Sequence, residues 1–235
     1  MALGPPFEVV FFDCDSTLCA IEGIDELARR SGVAAEVASL TEAAMEGRLP
    51  LEAVYGERLE TIRPGRDAVE WLGERYVQAL VEGAHEVVGT LTTLGKEVHI
   101  VSSGIRQAVL RVGETLAIPA ERVHAVEVAW DAAGRYIDYD RGSPLARAGG
   151  KATVCRAALR NGVTAAMVGD GVTDLEAAAA GVYVIGFGGV VHRLGVSRQA
   201  DVFVPGPTLR PLLEVLLGVA ERRWIGNNDR CPGGE

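Results

Sequence analysis

The feature that most constrains this chain is an alternation. Short runs rich in Val, Ile and Phe recur along it, separated by longer segments with helical spacing. EVVFF (8–12), EVHIVSS (97–103), RVHAVEVAW (122–130), TAAMVGD (164–170), VYVIGF (182–187) and DVFVP (201–205) read as strands. Strands that are apolar on both faces and joined by helices belong in a parallel sheet, because the crossover helices bury both of its faces. The fold class expected is therefore α/β, a Rossmann-like parallel sheet with helices on both faces.

One long stretch breaks the alternation. Between Glu22 and Ala84 the segments IDELARR, AAEVASLTEAAM, PLEAVYGERLETI and GRDAVEWLGERYVQALVEG keep helical spacing, punctuated by Gly32, Gly47, Pro50 and Pro64-Gly65. This predicts a small helical cap inserted after the first strand. The division expected is an α/β core of residues 1–18 and 86–235, with a helical unit of residues 19–85. Gly134 in AWDAAGRYIDYD is expected to turn a hairpin near the sheet edge. The tail GNNDRCPGGE is expected to be disordered.

At 235 residues and 48% hydrophobic, the chain has ample material for a buried core. Its net charge of −9 is spread among interspersed acidic and basic residues, which argues against a nucleic-acid surface and against a polybasic membrane patch. A small-molecule partner is expected, with the choice between monomer and homodimer left open. The four cysteines, Cys14, Cys19, Cys155 and Cys231, have no metal-ligand spacing and fit a reducing cytoplasm better than a disulfide framework. Cys14 is expected to pack, and the four scattered histidines to serve core or surface roles. The start MALGPPFEVVFF has no basic leader, and no stretch approaches a bilayer span, so neither export nor membrane insertion is expected.

Four features fall at strand ends or helix starts, where open α/β sheets bind ligands. Asp13 and Asp15 leave the first strand in DCDST, and an extended chain would point both the same way. Two like charges that close call for a cation or a shared proton. Ser102-Ser103-Gly104 follows the second strand and opens a helical run, offering a hydroxyl and free amides to an anion, although a plain helix cap explains it as well. Lys151 opens the helix after two glycines, where a cation opposes the helix dipole and asks for an anion; a surface lysine is the ordinary alternative. In MVGDGVTDLE, Asp170 can ligate a hard metal, while Asp174 can cap the helix or steady the metal shell. Taken together, the four suit phosphoryl transfer, in which catalysis is mostly positioning and charge neutralisation. Asp13, Asp15 and Asp170 make an oxygen-rich set suited to Mg²⁺.

These motifs resemble those of the haloacid dehalogenase superfamily of phosphatases and, within it, the phosphoserine phosphatases. The match runs in order through DCDSTLCAIEGIDELA, AMEGRLPLEAVYGERLETI, VSSGIR, GGKATV and MVGDGVTDLEAAAAGVYVIGFGG, over most of residues 8 to 205. The resemblance implies Asp13 as nucleophile, Asp15 as general acid and base, and Lys151 as the phosphate-binding cation. Ser102, Ser103, Gly104 and Thr173 would complete the phosphate site. Mg²⁺ would be held by Asp13, the Asp15 main-chain carbonyl and Asp170, with Asp174 behind them. Glu22 would meet a substrate ammonium, Arg58 a carboxylate, and Met45 would form an apolar wall. Ser103 stands where the family has glycine, which puts the fit of the phosphate in question. Glu22 and Arg58 read on their own as ordinary charges on solvated helix faces. Two other readings remain: action on another small phosphomonoester or transfer to an alcohol, and a receiver-like signalling module, which the long insert disfavours.

Overall fold

A computed structural model of the chain describes residues 7–45 and 48–228. The first strand, β1 (Val9–Phe12), is buried at every residue. Helices α1 (Gly23–Ser31), α2 (Ala34–Met45), α3 (Leu51–Ile62), α4 (Arg66–Gln78) and α5 (Ala84–Thr93) follow it before β2 (Glu97–Ile105). The breaks fall at the expected punctuation. Gly32 closes α1 in the left-handed conformation, Pro50 precedes α3, and Arg63-Pro64-Gly65 separates α3 from α4. Gly47 lies outside the described residues.

Past β2 come α6 (Arg106–Thr115), β3 (Val123–Val126), β4 (Val128–Trp130), β5 (Tyr136–Tyr139), α7 (Gly150–Ala158) and β6 (Ala165–Gly169). The chain ends with α8 (Val172–Leu175), β7 (Tyr183–Phe187), α9 (Leu194–Gln199), β8 (Val202–Val204), α10 (Leu212–Leu216) and α11 (Val219–Asn228). Six strands form one sheet in the order β3-β2-β1-β6-β7-β8, and every pairing in it is parallel. The expected α/β class is therefore observed.

The chain builds outward from β1 to β3 and then returns to lay β6 against the other side of β1. The strand order reverses between β1 and β6, and the crevice beyond the carboxyl ends of such a pair is where open sheets take ligands. Register fixes what stands there. Phe12 pairs with Ile100 on one side and Val168 on the other, so Asp13 emerges level with the residues that lead into Ser102 and Asp170. The Asp13 amide continues the ladder by donating to Val168 O at 2.9 Å.

Two expectations need correction. RVHAVEVAW is two strands rather than one: β3 stays in the main sheet, while β4 pairs antiparallel with β5 in a separate ribbon. The chain changes sheets at Glu127, where the Gln107 side chain clamps Val128 by donating to its carbonyl at 2.8 Å and accepting from its amide at 3.3 Å. Gly134 does turn the ribbon, at φ +77°. Its carbonyl accepts from Arg66 N at 2.9 Å and Trp130 Nε1 donates to Pro64 O at 2.9 Å, so the ribbon leans on the inserted helices. Finally, the tail expected to be disordered begins as helix, since α11 runs to Asn228; residues 229–235 lie outside the described residues. Buried Lys96 anchors α11 by donating to Glu221 Oε1 at 2.6 Å and to Phe7 O at 2.7 Å.

Candidate active site

The chain turns immediately after Asp13. Cys19 N donates back to Cys14 O at 2.9 Å, and Ser16 takes the left-handed φ of 52°. The extended path that would aim Asp13 and Asp15 together is thus absent, yet both line one cavity, because the turn returns Asp15 toward the sheet end. Cys14 is fully buried and packs, its Sγ 3.9 Å from Cys19 Sγ.

Lys151 decides the character of the site. It is 2% exposed, and its Nζ lies 2.8 Å from Asp13 Oδ2 and 2.5 Å from Asp174 Oδ1. Burial opposes its charge, but the Asp13 and Asp174 carboxylates outweigh burial and hold the lysine above its ordinary pKa. The surface-lysine alternative is excluded. Asp174 is fully buried, and burial pushes its carboxyl up to about 8 while Lys151 pulls it down. The two tendencies disagree on whether Asp174 is charged. The 2.5 Å contact with a lysine that Asp13 also keeps protonated favours the ion pair. The second Asp174 oxygen accepts from Gly171 N at 2.9 Å, so Asp174 caps the start of α8 and orients Lys151 at the same time.

Asp13, Asp170 and Asp174 each offer a carboxylate oxygen within 4.8 Å of the others. All three are hydrogen-bonded, and Asp170 is held least tightly, accepting from Thr17 Oγ1 at 3.3 Å and from Arg193 Nε at 3.0 Å. Burial first, then the Asp13 charge, raises Asp170 to about 6. Hard oxygen donors this close together fit a divalent cation.

Asp15 lies deeper. Its Oδ1 accepts from Gly23 N at 2.6 Å and from Tyr76 Oη at 2.7 Å. Burial first, then the Asp13 charge, raises it to about 6. Ser102 does not open a helix as expected. β2 continues through it to Ile105, so the hydroxyl is fully buried, accepting from Gly104 N at 2.9 Å and standing 3.4 Å from Asp15 Oδ2. Ser103, Gly104 and Thr173 line the cavity beside Asp13, Asp15 and Lys151.

From the inserted helices, Glu22 and Arg58 line the same cavity. Neither is a solvated surface charge. Glu22 accepts from Ser16 Oγ at 2.8 Å, and burial followed by the Asp15 charge raises its carboxyl well above the usual range. Arg58 is 4% exposed and forms no ion pair among the described residues; its Nε is unpartnered there, and Nη1 meets only Thr41 Oγ1, at 3.4 Å. A buried guanidinium without a carboxylate is costly unless a ligand supplies one. Helix α2 reaches Met45, but its side chain lies outside the described residues.

Two residues of the site were not anticipated. Arg193 Nε donates to Asp170 Oδ2 at 3.0 Å, and its Nη2 lies 3.5 Å from Glu22 Oε1. The only sequence signal was its place in the loop after β7, at the ligand-binding end of the sheet. Tyr76 was hidden because it continues the buried stripe Val69, Leu72, Gly73 of α4 and so reads as core.

Residues 7–181 match the family model described as haloacid dehalogenase-like hydrolase. The chain belongs to that family. The phosphoserine phosphatase of Drosophila melanogaster is 36% identical over 200 residues, 84% of this chain and 74% of that protein. The human phosphoserine phosphatase is 37% identical over 199 residues, 84% of this chain and 88% of its own. Among solved structures, a substrate-bound phosphoserine phosphatase complex superposes with a TM-score of 0.77 at 28% identity, covering 89% of this chain and 98% of that one. Among the described residues, no helix of this hydrolase is long and apolar enough to cross a membrane.

Proposed function

We propose that the protein hydrolyses O-phospho-L-serine to L-serine and phosphate through an aspartyl-phosphate on Asp13. The observation that carries this reading is one cavity lined by Asp13, Lys151 and Arg58, a nucleophile with a buried ammonium beside it and a second buried cation that has no carboxylate partner among the described residues. Relatives named phosphoserine phosphatase at 36% and 37% identity support the substrate.

In the first step an Asp13 oxygen attacks phosphorus, the bond to the serine oxygen breaks, and Asp15 delivers its proton to the departing alkoxide. In the second, Asp15 takes a proton from water, which attacks phosphorus and frees Asp13. Lys151, the Ser103 and Gly104 backbone and Thr173 offset charge on the phosphoryl oxygens. Asp13, the Asp15 main-chain carbonyl and Asp170 would hold Mg²⁺. When bound, the metal supplies further neutralisation of phosphoryl charge. Glu22 takes the substrate ammonium and Arg58 its carboxylate by a two-pronged contact. Helices α1 to α4 act as the cap that excludes water and opens to release serine. Buried free thiols at Cys14, Cys19 and Cys155 support a cytoplasmic place, at a serine-forming biosynthetic step.

The test is phosphate release from a panel of phosphomonoesters with and without Mg²⁺. Phosphoserine should exceed the others, and Asp13→Asn should cut its turnover by at least about a thousandfold, since the covalent step is lost. Full turnover by Asp13→Asn, or no preference for phosphoserine, refutes the reading.

A further inference from the structure

We propose that Tyr76 is a positioning residue for the acid–base step: its hydroxyl holds Asp15 Oδ1 so that Oδ2 is the oxygen presented to the leaving group. This rests on the phosphatase reading above and adds to it a residue from the inserted helices. The two oxygens of Asp15 have unequal surroundings. Oδ1 accepts two short hydrogen bonds, from Tyr76 Oη at 2.7 Å and Gly23 N at 2.6 Å. Oδ2 has one long contact, 3.4 Å from Ser102 Oγ. An oxygen that already accepts two donors is poorly placed to carry a proton toward a third partner, so the mobile proton belongs on Oδ2.

The approach of Tyr76 is built into the chain. Its side chain is fully buried, and a buried phenol needs a partner, which Asp15 supplies. A Cβ at position 23 would stand 2.0 Å from Tyr76 Oη and 2.7 Å from Cζ, so only glycine leaves the ring room there. Gly104 flanks the other side, where a Cβ would stand 3.1 Å from Asp15 Oδ2 and 3.4 Å from Tyr76 Oη. Residue 23 therefore serves twice, making way for the phenol and donating its own amide to the same oxygen.

The pairing joins two parts of the fold. Tyr76 rides on α4, whereas Asp15 sits in the turn after β1. The contact exists only with α4 seated against α6 of the core, which couples seating of the inserted helices to the aim of the proton. An acid fixed in this way matters most when the leaving group is a basic alkoxide and least when it is a stable phenolate.

Tyr76→Phe removes the hydroxyl and keeps the ring. The expected result is a fall of about tenfold in kcat/KM for phosphoserine, with kcat/KM for an aryl phosphate such as p-nitrophenyl phosphate changed by less than about twofold. In an Asp15→Asn background the same substitution should add no further loss, because Tyr76 acts through Asp15. Equal loss on both esters, no loss on either, or an undiminished effect in the Asp15→Asn background overturns the proposal. The wild-type substrate panel decides the phosphoserine reading, and the ratio of variant to wild type on a shared alkyl ester decides Tyr76, so the two failures are distinct.

Discussion

Replacing Lys151 by Met exposes how much of this site is held by one charge. The lysine stem is buried, so Met preserves most of the packing and removes only the ammonium. In wild type that ammonium sits 2.8 Å from Asp13 Oδ2 and 2.5 Å from Asp174 Oδ1. At an effective dielectric of about 20 each contact is worth about 6 kcal/mol of attraction. Desolvation of the buried lysine takes back several kcal/mol, and removing one partner of a buried pair costs about 3–5 kcal/mol in measured cases. We therefore expect Lys151→Met to lose about 3–5 kcal/mol at pH 8, a large share of the roughly 5–15 kcal/mol that holds a typical domain. The loss should shrink on acidification. Without the lysine's pull, burial and the Asp13 charge hold the folded Asp174 carboxyl far above its unfolded pKa. The folded variant then binds protons that the unfolded chain does not, so its stability recovers as pH falls from about 8 toward 5. Urea unfolding of both proteins at pH 8 and pH 5.5, followed by far-ultraviolet circular dichroism, measures the difference. A penalty below about 1 kcal/mol at pH 8, or one that does not change with pH, refutes the argument that Lys151 neutralises buried carboxylates.

Two further outcomes concern residues away from that triad. Arg58→Ala should raise KM for phosphoserine by about tenfold or more and leave an aryl phosphate much less affected, since loss of a charge-assisted pair weakens only the ligand that carries the carboxylate; steady-state kinetics on both esters checks it, and equal loss removes Arg58 as the carboxylate reader. His99 and His124 stack between β2 and β3 with Nδ1 of the first 3.1 Å from Nε2 of the second. Burial, then His124 and Arg122, lowers His99 to about 4, so below about pH 6.5 the unfolded chain takes a proton that the folded one refuses. Stability should fall by on the order of 3 kcal/mol as pH drops from about 6.5 to 4. His99→Phe should flatten that part of the urea-midpoint profile; parallel profiles for the two proteins would exclude His99 as its source.

The strands of the main sheet were legible because a fully buried parallel strand must be apolar on both faces, and few other segments tolerate that. EVVFF and TAAMVGD each appear within a residue of their expected bounds. RVHAVEVAW misled for the same reason: local pattern says that a segment is extended, and it does not say with which sheet it pairs. Ser102 was read as a helix start because serine is a good cap, whereas pairing of Ile105 with Val126 of β3 carries β2 past it. Arg193 and Tyr76 were invisible as site residues, since one looks like a loop charge and the other like core.

What the sequence determined by itself was the set of candidate site groups and the order in which strands deliver them, because carboxylates, glycines and a lysine at strand ends are local choices of residue. What only the tertiary structure decided was their state: that Lys151 is a buried counterion rather than a surface charge, that Arg58 is buried without a carboxylate partner among the described residues, and that Asp15 is held at one oxygen by a tyrosine 61 residues away. Burial and distance set the charge and aim of each group, and both arise only when segments remote in the chain are packed together.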